Sequence, residues 1–213
     1  MDFESQQLDG VSTSRNATSL SLLDGVRLRD AESWRRMVRV YAPLVRHWCR
    51  RTGLAEQAID DLVQESFAAV LRGLPTFEKQ PSELRPAGGS FRGWLRTIVG
   101  RKLIDAARTR AESVAASGGS AAQLQLAQFA DPLSNQDDET EAAVETGLVF
   151  RSAVELIGVE FEPATARAFW LTTVEERSPS DVAAELDLTL NAVYKAKSRV
   201  LRRLREVLTG LED

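Results

Sequence analysis

Residues 91–110 read FRGWLRTIVGRKLIDAARTR. Leu95, Ile98, Val99, Leu103 and Ala106 recur at i, i+3, i+4, i+8 and i+11, the spacing of one buried helix face. Trp94, Arg101 and Arg108 follow one another every seven residues and form a second stripe at the margin of that face. An aromatic ring interleaved with cations can stack on a nucleic-acid base while its neighbours neutralise phosphates, and such stacking is worth roughly 1–3 kcal/mol per base. The same pattern also fits a structural helix with a solvated charged side and Trp94 half in the core. The rest of the chain has to choose between the two.

Immediately before this helix, residues 74–90 hold three prolines and two glycines and read as a long loop. Residues 55–73 make the cleanest helical pattern, with Ile59, Leu62, Val63, Phe67, Val70 and Leu71 on one face. Gly73 and Pro75 stop it. Its other side carries Asp60, Asp61, Gln64 and Glu65, either a solvated acidic face or a docking surface for a basic partner. Further upstream, Trp34, Met37, Val38, Tyr41, Leu44, Val45 and Trp48 outline an apolar face. Ser33 is the expected cap, Pro43 the expected kink and Gly53 the end. Arg35, Arg36, Arg39, Arg46, Arg50 and Arg51 lie on or beside the other faces. Leu20, Leu22, Leu23, Val26 and Leu28 suggest a short first helix. Residues 1–18 are polar and read as a flexible tail.

Downstream, residues 111–140 are first small and then acidic, and read as a flexible linker, partly helical around Gln123 to Phe129. Being acidic, this stretch should avoid DNA and could lie against basic surface. Residues 141–213 read as all helix. Val144, Leu148, Val149, Val154, Leu156 and Ile157 outline one helix, and Pro163 starts another that carries Ala166, Phe169, Trp170 and Val174. In S178-P-S-D181 the serine can cap, the proline suits the first helical position, and Asp181 completes a capping-box-like pair. A short helix, a tight turn at Asp187-Leu188 and a second helix capped by Thr189 match a helix-turn-helix. Val182, Ala183, Leu186, Leu188 and Val193 face inward in that motif. A coiled-coil seam through Val193, Val200 and Leu204 is the plainer alternative.

The 213 residues suffice for one or two domains with real cores, and 43% hydrophobic with 27% charged is an ordinary globular composition. The net charge of −4 hides an uneven distribution. Residues 27–51 hold eight arginines against Asp30 and Glu32. Residues 91–110 hold six cations against Asp105, and residues 195–205 hold six with no acid. Residues 111–150 hold seven acids and no cation. Binding to a polyanion follows local potential more than the total. Cys49 is the one cysteine, so no intramolecular disulfide forms, and a reducing compartment fits. The N-terminus has no apolar core of a signal peptide, and no apolar run could cross a membrane. The expected location is cytoplasmic. His47 and Cys49 cannot build a metal cluster alone, and H-x-C on an arginine-rich helix reads as packing. No phosphate-binding or nucleophile-elbow motif occurs, and no cofactor is implied.

Taken together, these segments resemble an RNA polymerase sigma factor of the small, two-domain extracytoplasmic-function type. D60-D-L-V-Q-E-S-F67 resembles the family's region 2.2, F91 through D105 its regions 2.3 to 2.4, and V182 through L204 its region 4.2. The family often has Asn where Arg101 stands, and Gly where Asp187 stands. The resemblance implies an all-α fold of two small helical domains: a region 2-like domain over 19–110 and a region 4-like domain over 141–213, joined by the linker 111–140. It implies that Asp61, Gln64 and Glu65 dock on the β′ clamp helices of core RNA polymerase, with the β flap as a further contact. It implies that Trp94, Arg96, Arg101 and Arg108 act at the minus-ten element. Asn191, Lys195, Ser198, Arg199, Arg202 and Arg203 would act at the minus-thirty-five element, and the linker would thread the polymerase channel. An anti-sigma factor is a further partner the resemblance leaves open; a membrane is not. The competing reading is a self-sufficient helix-turn-helix regulator whose first hundred residues sense a ligand or dimerise. An enzyme is the remote third reading.

Overall fold

A computed structural model describes residues 22–77, 90–116, 133 and 139–208, and no strand occurs among them. The expected tail 1–18, most of the loop 74–90 and the expected helical turn near Gln123 lie outside the described residues. The helices are α1 (Leu22–Arg27), α2 (Ala31–Arg50), α3 (Glu56–Gly73), α4 (Phe91–Ala116), α5 (Glu139–Gly158), α6 (Pro163–Thr173), α7 (Pro179–Glu185) and α8 (Leu190–Leu208). A single 3₁₀ turn at Leu74–Thr76 follows α3. Thus α4 continues six residues into the stretch expected to be linker.

The first bundle is built on α2. Met37, Val40, Leu44, Val45, Trp48 and Cys49 are wholly buried, and a large apolar side chain so placed contributes about 1.5–3 kcal/mol. α2 runs on through Pro43, where a kink or restart was expected, without a restart: the proline forfeits the bond to the Arg39 carbonyl, and the helix continues. The cap is Asp30, not Ser33: its carboxylate accepts from the Ser33 amide at 2.7 Å. Gly53 does end the segment, at φ +70°. On α3 the expected face is buried except Leu71, which is 48% exposed. On α4, Leu95, Val99 and Leu103 are buried with Phe91, as the spacing predicts. Ser90 Oγ accepts from the Gly93 amide and starts that helix.

The second bundle wraps α8 with α5, α6 and α7. Ser178 Oγ accepts from the Asp181 amide at 3.1 Å, and Thr189 Oγ1 from the Ala192 amide at 3.1 Å, so both expected caps form. Asp187 takes φ +52° in the turn between them, the left-handed conformation usually left to glycine. Ala168, Leu171, Val182, Ala183, Val193 and Ala196 form the small core of this motif, with Leu186 and Leu188 packed against it. Val200 and Leu204 are buried within the chain, which removes the coiled-coil alternative. The two bundles meet where α5 lies on α2, and one continuous core runs from Leu22 to Val207.

Asp187→Val is expected to destabilise the protein by about 1–3 kcal/mol, because a β-branched residue is strained at that φ. Asp187→Gly should be neutral or mildly stabilising. Urea unfolding of the three proteins checks the order.

Candidate polymerase and nucleic-acid interfaces

The second helix of the helix-turn-helix presents a polar face. Asn191, Lys195, Ser198, Arg199 and Arg202 are all exposed, at offsets 0, 4, 7, 8 and 11 on one side of α8. Tyr194 is 57% exposed beside them. Arg203 sits apart from this stripe: its Nε donates to Glu160 at 2.6 Å, its Nη2 to the other Glu160 oxygen at 3.2 Å, and its Nη1 to Glu206 at 3.2 Å. It ties α8 to the turn between α5 and α6.

The four residues expected at the minus-ten element divide. Arg101 and Arg108 are exposed on α4. Trp94 is half-buried against Phe77, ring centroids 4.7 Å apart, and against Phe91 at 5.7 Å. A Cβ added at Gly73 would stand 2.9 Å from its ring, so that glycine makes room for the indole. Arg96, two residues beyond Trp94 and so about 200° around the helix, points the other way, toward α5. On α3, Asp61, Gln64 and Glu65 are exposed together. Glu65 accepts from Lys102 at 3.0 Å, an exposed pair of the kind worth under about 1 kcal/mol.

The densest polar contact lies between the bundles. Glu145 is 5% exposed and Arg96 12% exposed, and Arg96 Nη1 donates to Glu145 Oε1 at 2.7 Å. The same oxygen accepts from Trp48 Nε1 at 2.7 Å. Arg96 also donates twice to the Leu133 carbonyl, at 2.6 and 3.2 Å, and its guanidinium lies 5.6 Å from the Trp48 ring centre. One turn earlier on α5, Glu141 meets His47 Nε2 at 2.7 Å and Arg51 at 2.6 Å. A carboxylate only accepts, so Nε2 carries the ring proton. Arg92 donates to Thr146 at 2.9 Å, and Arg36 lies 3.4 Å from Glu160. Leaving one partner of a buried ion pair alone costs about 3–5 kcal/mol, which makes Glu145 and Arg96 mutually dependent. Cys49, beside them on α2, is wholly buried, and desolvation pushes its thiol up to about 11, so it is unreactive packing.

Sequence reasoning passed over Glu141 and Glu145. The signal was there: two acids four residues apart on one face of a helix, complementary to an arginine-rich one. They enter only the count of acids over residues 111–150. Among the described residues no group of three or more His, Cys, Asp or Glu side chains could hold a metal ion, and no helix is long and apolar enough to cross a membrane.

A helix-turn-helix with a polar, cationic outer face, preceded by a basic helix and an acidic one, suits contact with a polyanion such as DNA. Comparison with known proteins narrows the class. Residues 37–112 match the family Sigma-70 region 2. The chain is 26% identical over 204 residues to the ECF RNA polymerase sigma factor SigE of Mycolicibacterium smegmatis, covering 94% of this chain and 71% of that one. It is also similar, at 22% identity, to CnrH, solved in complex with the cytosolic domain of CnrY. That match covers 88% of this chain and 95% of CnrH with a TM-score of 0.35, too low to compare the arrangements. The chain thus carries a stretch that matches Sigma-70 region 2 and is similar along most of its length to a sigma factor of the extracytoplasmic-function type.

The bonds from His47 and Arg51 hold the Glu141 carboxyl below its ordinary value of 4.5, His47 contributing most. A depressed carboxyl stabilises the folded chain above its unfolded pKa, and that contribution is lost as pH falls through the folded value. Glu141→Gln should therefore be less stable than the parent at about pH 6, and the gap should narrow as pH falls below the ordinary carboxyl value. Thermal unfolding of both proteins across that range checks it.

Proposed function

We propose that the chain binds core RNA polymerase through α3, engages the minus-ten element through α4 and reads the minus-thirty-five element through α8. The observation that carries this reading is the sorting of charge by helix. Asp61, Gln64 and Glu65 make an acidic exposed face on α3, while Lys195, Arg199 and Arg202 share an exposed face on α8 with Asn191 and Ser198. An acidic face suits a basic protein surface such as the β′ clamp helices and repels DNA; a cationic helix after a helix-turn-helix turn suits the major groove.

On α8, Asn191, Lys195, Ser198 and Arg199 are assigned to base edges and nearby phosphates, and Arg202 to a phosphate. Arg203, held by Glu160, supports the helix and reaches phosphate only if that pair yields. On α4, Arg101 and Arg108 follow the backbone of the opened strand. Trp94 stands at the margin of the apolar face, where a rotation away from Phe77 would let it stack on an unpaired base. Residues 19–110 and 141–213 act as the two binding domains. Neither has much surface alone, so affinity comes from engaging polymerase and DNA together.

Asp61→Lys with Glu65→Lys is expected to abolish capture by core polymerase with helicity unchanged; retained affinity would remove the α3 assignment. Arg199→Ala should cost about 1–3 kcal/mol at one promoter position and relax the preference there. Arg202→Ala should instead weaken binding to all promoters alike and flatten the salt dependence. Competition binding of holoenzyme to promoter variants, at two salt concentrations, separates the two.

A further inference from the structure

The outer face of α8 carries more than polar groups. Leu190 is 48% exposed and Tyr194 57% exposed, one turn apart at the start of the helix. At about 100° per residue, Tyr194 stands about 40° from Ser198 and about 60° from Asn191, so it borders the stripe assigned to base edges. Neither side chain serves the core, which α8 enters through Val193, Ala196 and Val200 on this stretch. A single exposed apolar residue is ordinary on a protein surface and needs no explanation. Two of them on the leading turns of this helix are a different matter, because those turns are the part of a helix-turn-helix that reaches base edges. Long side chains on a helix also lean toward its N-terminus, which directs the Tyr194 ring back toward the turn of Leu190 and Asn191.

The major groove offers hydrogen-bonding atoms on every base pair, and covering them with an apolar ring leaves them unpaired at a cost. Thymine is the exception, since its C5 methyl is the one apolar group that the groove displays. We infer that Tyr194, with Leu190 beside it, receives the C5 methyl of a thymine in the minus-thirty-five element. The inference rests on the reading of α8 given above and adds a specificity-determining residue to it. Asn191 and the cations of α8 respond to charge and hydrogen-bonding pattern, whereas the ring responds to an apolar group in a polar groove. It therefore favours thymine over cytosine, which presents a hydrogen at C5 where thymine presents the methyl. The contact is made by the face and edge of the ring, not by its hydroxyl.

The test uses holoenzyme formed from the full chain and core polymerase, on a promoter that this holoenzyme transcribes. Each thymine of the minus-thirty-five element, on either strand, is replaced singly by deoxyuridine, which removes the methyl and keeps the base pairing. Competition binding should show a loss of about fourfold at one position, the worth of one buried methyl-sized group. Tyr194→Ala should bind the thymine and deoxyuridine promoters equally well there, and Leu190→Ala should reduce the ratio part way. Both residues are exposed, and circular dichroism checks that the helices persist. Tyr194→Phe should keep the fourfold ratio; its loss would assign the hydroxyl to a phosphate and overturn the methyl contact. Tyr194→Ala should also leave the salt dependence unchanged, because an apolar contact releases no counterion. An element without thymine on either strand, no position sensitive to deoxyuridine, or a ratio unchanged in Tyr194→Ala would each overturn the proposal. Arg199→Ala is measured alongside. If it weakens binding while deoxyuridine changes nothing, the reading of α8 stands and the tyrosine contact falls. If neither change alters binding, both fall.

Discussion

One carboxylate organises the way the two halves of this protein meet. Glu145 sits nine-tenths or more out of water, and a charge so placed has to be answered. Arg96 and the Trp48 indole answer it from two different helices of the other bundle. Because each partner would be left uncompensated without the others, the contact fixes the rotation of α5 on α2 and sets which face of α4 is turned inward. The direction of Arg101 and Arg108, on the opposite part of α4, follows from that choice.

The proposed promoter chemistry therefore meets a local constraint. A single helix, α4, packs by Phe91, Leu95, Val99 and Leu103, holds the second bundle by Arg92 and Arg96, and leaves Arg101 and Arg108 exposed. Three duties occupy three sectors, which is why its cations run nearly all the way around and its apolar stripe is narrow. The α8 helix has the same division: Val193, Val200, Leu204 and Val207 inward, Arg203 toward Glu160, and the remaining cations outward. On each helix an arginine of the expected DNA-binding set, Arg96 on α4 and Arg203 on α8, also holds the fold together.

Much of this was legible in the sequence because it depends on local chemistry. The period of Ile59 to Val70, the caps at Ser178 and Thr189 and the turn at Asp187 are each decided by neighbours within a few residues. Asp187 in the left-handed region is a case where the side chain that departs from the family's glycine is also one of the few that tolerates the conformation. What was not legible depends on contacts distant in sequence. The unbroken course of α2 through Pro43 comes from packing that outweighs a lost backbone bond. Leu71 fits the helical period but lies beyond the edge of the core. The seam needed Glu145 to find Trp48, ninety-seven residues away, and no periodicity reports such a pairing.

The central claim is that this chain confers promoter selection on RNA polymerase. The most direct measurement adds the purified protein to core polymerase free of any sigma factor, with its own genomic DNA as template, and maps the transcripts. Transcripts from discrete start sites, sharing two upstream elements and absent without the protein, are the predicted result. A protein that does not bind core yet protects specific DNA sequences by itself would contradict the account and make it a self-sufficient regulator.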